Sequence, residues 1–375
     1  MIKLEIDGTP FDNFKSLSVT RSMENFSGTF NFTASNADAS VFPIKTGSAC
    51  KITYFNSKSV PTVLLTGWIE VITPSITASS HDVSIQGRDV TCDIIDSTLS
   101  QDSVQFSAQP TLVEIIKTVI ASIGLKLNVI NNAGTIDAFT PSDLVAGEAG
   151  QGAFEFLEKQ ARRRQVLLTT DGLGNIIITR TGTVDSGFML LNSANEIENN
   201  VLTASATYDM SQRYYKYICT TQKNIQGQNS MPEDGDEGAE DATAGLVGAP
   251  AYDTAIRKTR VLVTLPDSAT NDDQLKQMAI WEANIRRARS RTYAATTEGM
   301  ENPSTGKLFD INQLIQINDS TNGIKAKMLV KQLTYSLDVS GGSSTAFSCV
   351  DKDAYSLDLS EPDFKVAVYE DIGDA

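Results

Sequence analysis

Apolar and polar residues alternate through most of residues 1–99, the two-residue period of half-buried strands. Leu17 and Val19, then Phe26, Phe30 and Phe32, stand among Ser, Thr and Asn. A further strand is predicted from Ala49 to Phe55, and another from Val63 to Ile72 with Gly67-Trp68 at its centre. Val83 and Ile85 alternate with Ser84 and Gln86 until Gly87 interrupts the pattern, and glycine inside a strand marks a bend, a bulge or a close backbone approach. Arg88, Asp89, Asp93 and Asp96 follow around a short apolar step, and a polar run from Ser97 to Ser103 closes the unit. Short strands at this spacing predict a sandwich or small barrel.

The pattern changes between residues 105 and 183. Thr111 and Glu114 are spaced as a capping box, and Leu112, Ile115, Ile116, Val119, Ile120 and Ile123 then recur with helical period before Gly124. That stripe is read as packing surface. A strand from Lys126 to Ile130 follows, then a helix near Gly152–Arg164 whose Arg162-Arg163-Arg164 end suits the helix dipole. Val166–Thr170 and Asn175–Arg180 read as a hairpin across Asp171-Gly172-Leu173-Gly174. Gly147, Gly150 and Gly152 lack the preceding strand and following Lys that a phosphate loop requires.

From Asn199 the strand period returns. At an ungapped offset of 187, Asn13–Thr33 meets Asn200–Thr220, with Asn13, Ser18, Thr20, Met23 and Thr33 on identical residues and Phe30 on Tyr217. Ser79–Asp89 likewise resembles Ser343–Asp353. Generic strand composition gives some such matches, but both occur in the same order, which points to two related β domains, the second split by an insertion. The insertion opens on an acidic run, Glu233–Asp241, expected as a solvated loop because it buries too little apolar area to offset its ordering entropy. Its spacing does not supply the alternating ligands of a calcium loop. A strand is expected from Arg257 to Leu265, then a helix from Asp272 burying Leu275, Met278, Trp281, Ile285 and Ala288. The basic end of that helix, Arg286 to Arg291, is read as complementing its dipole rather than as a nucleic-acid patch. Strands at Leu314–Ile317, Lys325–Leu337 and Ser344–Val350 complete the second region, and an acidic segment follows Leu357.

Composition narrows the chemistry. The 375 residues allow about two to four domains. A net charge of −15 opposes any main task of gripping phosphates. Cys50, Cys92, Cys219 and Cys349 never pair as Cys-x-x-Cys, and with a single histidine a zinc site is not expected. The cysteines read as reduced, small buried hydrophobes. His81 reads as a strand residue rather than a catalyst, because nothing in the sequence would orient it. The first residues alternate like a strand and carry no secretion signal, and no apolar run is long enough to span a membrane.

Several of these stretches resemble one family. The step Gly87-Arg88-Asp89-Val90-Thr91-Cys92-Asp93-Ile94-Ile95-Asp96 is similar to the close of the first β domain in the Mu-type tail hub family, the baseplate hubs of contractile bacteriophage tails. Phe154, Phe156, Leu157, Lys159, Ala161 and Arg162 resemble that family's F-x-F-L-x-K-x-A-R helix. Trp281, Glu282 and Asn284 with Arg286, Ala288 and Arg289 resemble its W-E-x-N-x-R-x-A-R helix. Gly306, Leu308, Phe309 and Asn312 resemble its G-x-L-W-x-x-N strand, with Phe309 in place of the usual Trp. The match runs in order from about residue 1 to 355.

The resemblance implies an α+β, β-dominated chain with two related barrel-like β domains, a small α+β module and a helix-containing insertion. The expected division is 1–99, first β domain; 100–184, α+β module; 185–226 with 305–355, second β domain; 227–304, insertion; and 356–375, acidic arm. It implies a structural virion protein, not an enzyme, with no cofactor, metal or catalytic residue. Gly87, Arg88, Asp89, Asp93, Asp96, Trp281, Asn284, Arg289, Gly306, Phe309 and Asn312 are the expected structural motif positions. The implied assembly is a homotrimeric ring joining the hexameric tail tube, or a tube initiator, to the trimeric central spike. The tape-measure C-terminus and the baseplate wedge are further partners that the resemblance suggests, with genome DNA only passing through the lumen. Assembly in host cytoplasm without stable membrane insertion is implied as well. Two look-alike domains per chain let a threefold ring imitate six positions. Strand edges near Lys3–Ile6 and Ala49–Phe55 are expected at subunit contacts. The rivals are a cell-wall hydrolase built on paired carboxylates and the hub of a bacteriocin or secretion machine.

Overall fold

A computed structural model describes residues 1–35, 44–77, 81–100, 106, 109–140, 145–182, 184–193, 199–221, 247–265 and 272–355. The acidic run at 233–241 and the arm from 356 onward lie outside the described residues.

The first β region contains β1 (Ile2–Ile6), β2 (Thr9–Phe11), β3 (Phe14–Ser22), β4 (Thr29–Ser35), β5 (Ala49–Phe55), β6 (Pro61–Ile76) and β7 (His81–Asp89), then the short helix α1 (Cys92–Ile95). Alternation places Leu17, Val19, Phe30, Phe32, Val83 and Ile85 inward, as the period requires. The α+β module holds α2 (Leu112–Ser122), β8 (Asn128–Asn131), α3 (Ala153–Arg163), β9 (Leu167–Thr170) and β10 (Asn175–Thr179). The capping box forms: the Thr111 hydroxyl accepts from the Glu114 N–H, and the Glu114 carboxylate accepts from the Thr111 N–H at 2.7 Å. Gly124, at φ +79°, ends α2, with the Leu125 N–H reaching back to the Ile120 carbonyl. The stripe of α2 meets Phe156, Leu157 and Ala161 of α3 in a core of its own, which also takes Phe26, Ile94 and Leu99.

The second β region is β11 (Asp185–Asn192), β12 (Val201–Tyr208), β16 (Arg291–Glu298), β19 (Leu314–Asp319), β20 (Ile324–Asp338) and β21 (Gly342–Asp351). Between β12 and β16 lie β13 (Lys216–Cys219), β14 (Ala251–Tyr252), β15 (Val261–Thr264) and α4 (Asp272–Arg289), and the turn before β19 carries β17 (Glu301–Asn302) and β18 (Lys307–Leu308).

One 13-stranded sheet joins both β regions. Its first half runs β3-β4-β7-β6-β5-β1, its second β12-β16-β21-β20-β19-β11, the same order in space and in sequence. The last pairing differs in direction: β1 is antiparallel to β5, whereas β11 is parallel to β19. Both halves also have a register shift at the same place, between Ile69 and Val71 of β6 and between Val330 and Gln332 of β20. Superposing these shifts sets Gly87 on Cys349. Stepping across the ladders then sets Phe30 on Tyr293 and Val19 on Ala206, the offset of 187 found in the sequence. The strand-order repeat therefore stands on topology as well as on sequence.

Three expectations need correction. The offset fails beyond the first strand, because β13, matched to β4, belongs to the inserted three-stranded sheet β14-β13-β15; the true counterpart of β4 is β16. A gapless comparison cannot cross an insertion. At the far end the register shifts align β7 with β21 two residues away from the Ser79–Ser343 match. The strands nominated as open edges, β1 and β5, are each paired on both sides.

Helix α4 also differs from its single predicted face. Leu275, Ala279 and Ala283 pack under β13 and β14, while Trp281 and Ala288 join the main core. Met278 and Ile285 are only partly buried. A helix clamped between two layers shows no single apolar stripe.

Candidate functional site

The motif residues gather at joints between layers. Gly87 sits where β4, β7 and β6 meet, and a β-carbon there would overlap the Trp68 carbonyl and the Phe30 ring. Gly67 of β6, opposite Asp89, is equally confined, against the Arg88 backbone. This close crossing explains why the strand pattern needs glycine where it breaks.

Asp89 is fully buried at the end of β7. Its carboxylate accepts from the Ser27 hydroxyl at 2.9 Å, the Gly28 N–H at 2.8 Å and the Thr91 N–H at 2.9 Å. It thus fixes the β3–β4 turn to the start of the module. Arg88 faces outward, paired with both Glu70 oxygens at 2.5 and 2.7 Å and with Asp96 at 2.5 Å. The hydrogen bonds it donates to Glu70, then to Asp96, raise the pKa of the Arg88 guanidinium above its ordinary value. Asp93 lies in the first turn of α1, near the Cys92 thiol.

Glu70, Cys92 and Asp96 stand close enough together for a metal ion. Arg88 already occupies both carboxylates with its hydrogen bonds, and burial pushes the Cys92 thiol up to about 12, so the donor set does not suit a cation. All four cysteines are buried free thiols.

Asn312 occupies left-handed backbone at φ +60°, which Asn tolerates better than most residues. Its Oδ1 accepts from the Gly182 N–H at 2.6 Å, and its Nδ2 donates to the Thr179 hydroxyl and the Arg180 carbonyl. The module's exit is thereby bound to the second β region. Phe309 is buried against Phe188 and Phe347, each ring centroid 4.9 Å away, and its carbonyl accepts from the Tyr335 hydroxyl. Gly306 turns the chain at φ +66° between β17 and β18.

Trp281 is buried with its ring 6.3 Å from Tyr355, and Asn284 is buried beside it on α4. Arg289 reaches Glu24 of the first region at 3.2 Å. The arginines at the end of α4 are therefore engaged in the fold: Arg286 pairs with Glu282 and Arg287 is buried. His81 is exposed at the start of β7.

Two joints were not legible in the sequence. Glu24 gathers Arg289, Lys331 and the Tyr355 hydroxyl at 3.0–3.2 Å, tying α4, β20 and the chain's last described residue to the β3–β4 turn. Arg213 is fully buried and paired with both Asp253 oxygens at 2.7–2.9 Å, holding the insertion together. Single charges in unremarkable surroundings gave no sign of these partners.

Two look-alike half-sheets, a helical module at the seam and joints built from buried polar residues define a strand-dominated tail protein of hub architecture. Residues 1–89 match the family described as Mu phage baseplate assembly protein GpP-like, N-terminal, and residues 91–180 match the second domain of baseplate hub protein gp44-like. Over residues 1–180 the chain carries the first two domains of Mu-type baseplate hubs, and its role is that of a structural component of the phage tail baseplate hub. It is 25% identical to the baseplate hub protein gp44 of Escherichia phage Mu over 365 residues, 94% of this chain and 88% of that protein. The 43 kDa tail protein of prophage MuSo2 from Shewanella oneidensis superposes with a TM-score of 0.78 at 28% identity, covering 94% of this chain and 99% of that one. The tail protein from Neisseria meningitidis MC58 shares the fold at 15% identity, with a TM-score of 0.72 over 94% of this chain and 97% of its own.

Proposed function

We propose that three copies of the chain close into the central ring of the baseplate, one face stacked on the tail tube and the other holding the spike, with DNA passing through the lumen. The observation that carries this reading is the repeated strand order, β3-β4-β7-β6-β5-β1 against β12-β16-β21-β20-β19-β11. A cyclic trimer offers three identical positions, so a sixfold surface requires two equivalent units per chain. The reading assigns no catalytic step to the chain. Glu70 and Asp96 are bound to Arg88, so neither is the unpaired carboxylate that hydrolysis of a glycan needs. The division into β units, module and insertion is part of the proposal, with Lys216–Cys219 counted in the insertion and Arg291–Glu298 in the second unit, as their pairings favour. The motif positions serve in it as structural joints, and assembly takes place in host cytoplasm.

Sedimentation and negative-stain imaging of the purified full chain test the ring. The expected result is a trimer seen as a ring of six near-equal lobes around a hole about 20 Å wide, the scale of a DNA duplex. A monomer across the whole concentration range would overturn it. Bond cleavage on incubation with peptidoglycan would restore the hydrolase reading.

A further inference from the structure

The two halves of the sheet are joined inside one chain by a pairing that has an unused counterpart. The second part of β20, Gln332–Asp338, pairs antiparallel with β3, Ser16–Ser22. In the first half the equivalent of β20 is β6, and the register shifts set Val71 to Ile76 on Gln332 to Leu337. The equivalent of β3 is β12, with Val19 on Ala206. Among the described residues, β6 beyond Ile69 pairs only with β7, and β12 pairs only with β16. Each is an open edge where its counterpart is covered.

We infer that β12 of one copy pairs antiparallel with Val71–Ile76 of β6 in the next copy, reproducing between subunits the β3–β20 joint found within the chain. The inference rests on the ring proposed above and specifies its contact and register.

The side chains support that register. Within the chain Thr20 faces Thr334, their hydroxyls 2.9 Å apart, and Ser18 faces Ser336. Transferring the register sets Thr207 against Thr73 and Ser205 against Ser75. All four partners keep the residue type of their counterparts, yet Thr73, Ser75, Ser205 and Thr207 are exposed. Ile76, whose counterpart Leu337 stands beside Leu17 of β3, is 75% exposed. An open strand edge carrying apolar side chains is a template for pairing.

Pro74 fits the same geometry. The Lys331 carbonyl and the Val339 N–H both bond across to the β3 side, so the alternate residues between them, Tyr335 included, turn their backbone groups toward β3. Pro74 is the counterpart of Tyr335, and its missing N–H therefore points to the open edge, the side on which a strand accepts proline. The joint keeps the Pro74 carbonyl as acceptor for Ala206 and loses one donor at that position. Thr73 and Thr207 then form a pair without backbone bonds between them, with α-carbons about 4.5 Å apart, within reach of a disulfide.

The test is oxidation of the full chain carrying Thr73→Cys with Thr207→Cys, read on a non-reducing denaturing gel. The matched pair should raise the covalent mass about threefold, the closed ring of three copies. Thr20→Cys with Thr334→Cys should close within one chain at unchanged mass, showing that the joint admits a disulfide. Thr73→Cys with Thr203→Cys, displaced by four positions, should leave monomers on the gel. A particle that sediments as a trimer before oxidation but whose matched pair does not cross-link overturns the strand joint and leaves the ring standing. A particle that sediments as a monomer overturns the ring and the joint together. Cross-linking of the displaced pair in place of the matched one overturns the register.

Discussion

The Oδ1 of Asn312 accepts a hydrogen bond from the backbone N–H of Gly182 at 2.6 Å, across 130 residues of chain. Gly182 ends the module and Asn312 lies just before β19 of the second β region, so this bond ties the two together. A β-carbon on Gly182 would overlap the Asn312 carbonyl, so only glycine allows the approach. Gly182→Ala is expected to destabilise the chain by about 2–3 kcal/mol through that overlap. Asn312→Gly keeps the left-handed turn and loses the three side-chain bonds, at a cost of about 1–3 kcal/mol. Denaturant unfolding checks both, and limited proteolysis should release the module from the Gly182→Ala protein first.

Glu24 gives the fold a defined acid sensitivity. Burial pushes its carboxyl up, but Lys331 and Arg289, helped by the hydrogen bonds from Lys331 and Tyr355, more than offset this and leave it below the ordinary glutamate value. A carboxyl whose folded value is depressed contributes stability above its unfolded value, and that stability is lost as pH falls through the folded one. Glu24→Gln should therefore be less stable than the native chain at pH 7, by about 1–2 kcal/mol. The gap should narrow below pH 4.5, the unfolded value, as the native carboxyl takes up its proton. Melting temperature against pH for the two proteins measures it; a gap that is constant with pH would refute the assignment.

Arg213 and Asp253 form a buried pair in the insertion. Arg213→Ala leaves the Asp253 carboxylate buried and unpaired, at a cost of about 3–5 kcal/mol. Replacing both, Arg213→Met with Asp253→Leu, should cost less than either single change to alanine, because no charge is then left without a partner. A double-mutant cycle by denaturant unfolding decides it.

Burial pushes the Cys50 and Cys349 thiols up to about 12 and raises that of Cys219. The thiolate is the nucleophile, so the native protein should react slowly with a thiol reagent at pH 8 and release four equivalents only on unfolding. Rapid native labelling of Cys50 or Cys349 would contradict the packing described.

Gly87→Ala should disrupt the crossing of β6 and β7. The added methyl meets the Trp68 carbonyl and the Phe30 ring, and overpacking of this kind costs about 1–3 kcal/mol or more. Gly8→Ala at an open turn offers the comparison, since nothing lies within 4 Å and only its φ of +78° opposes the change. Thermal unfolding of the two variants separates crowding from backbone strain.

Local rules written in the chain settled much of the fold. Alternation set which residues of β3, β4 and β7 face inward, and the Thr111–Glu114 box with Gly124 set both ends of α2. The 187-residue offset already paired β3 with β12, because both strands keep their facing residues on the same parity. Tertiary structure decided the rest. A strand's period fixes its two faces and says nothing of its neighbour, so β4 matched β13 by offset while its real counterpart, β16, lay beyond the insertion. Which edges are covered, and which charges meet across hundreds of residues as Glu24 meets Lys331, depends on how the layers close, for burial and pairing are properties of the assembled sheet and not of any segment alone.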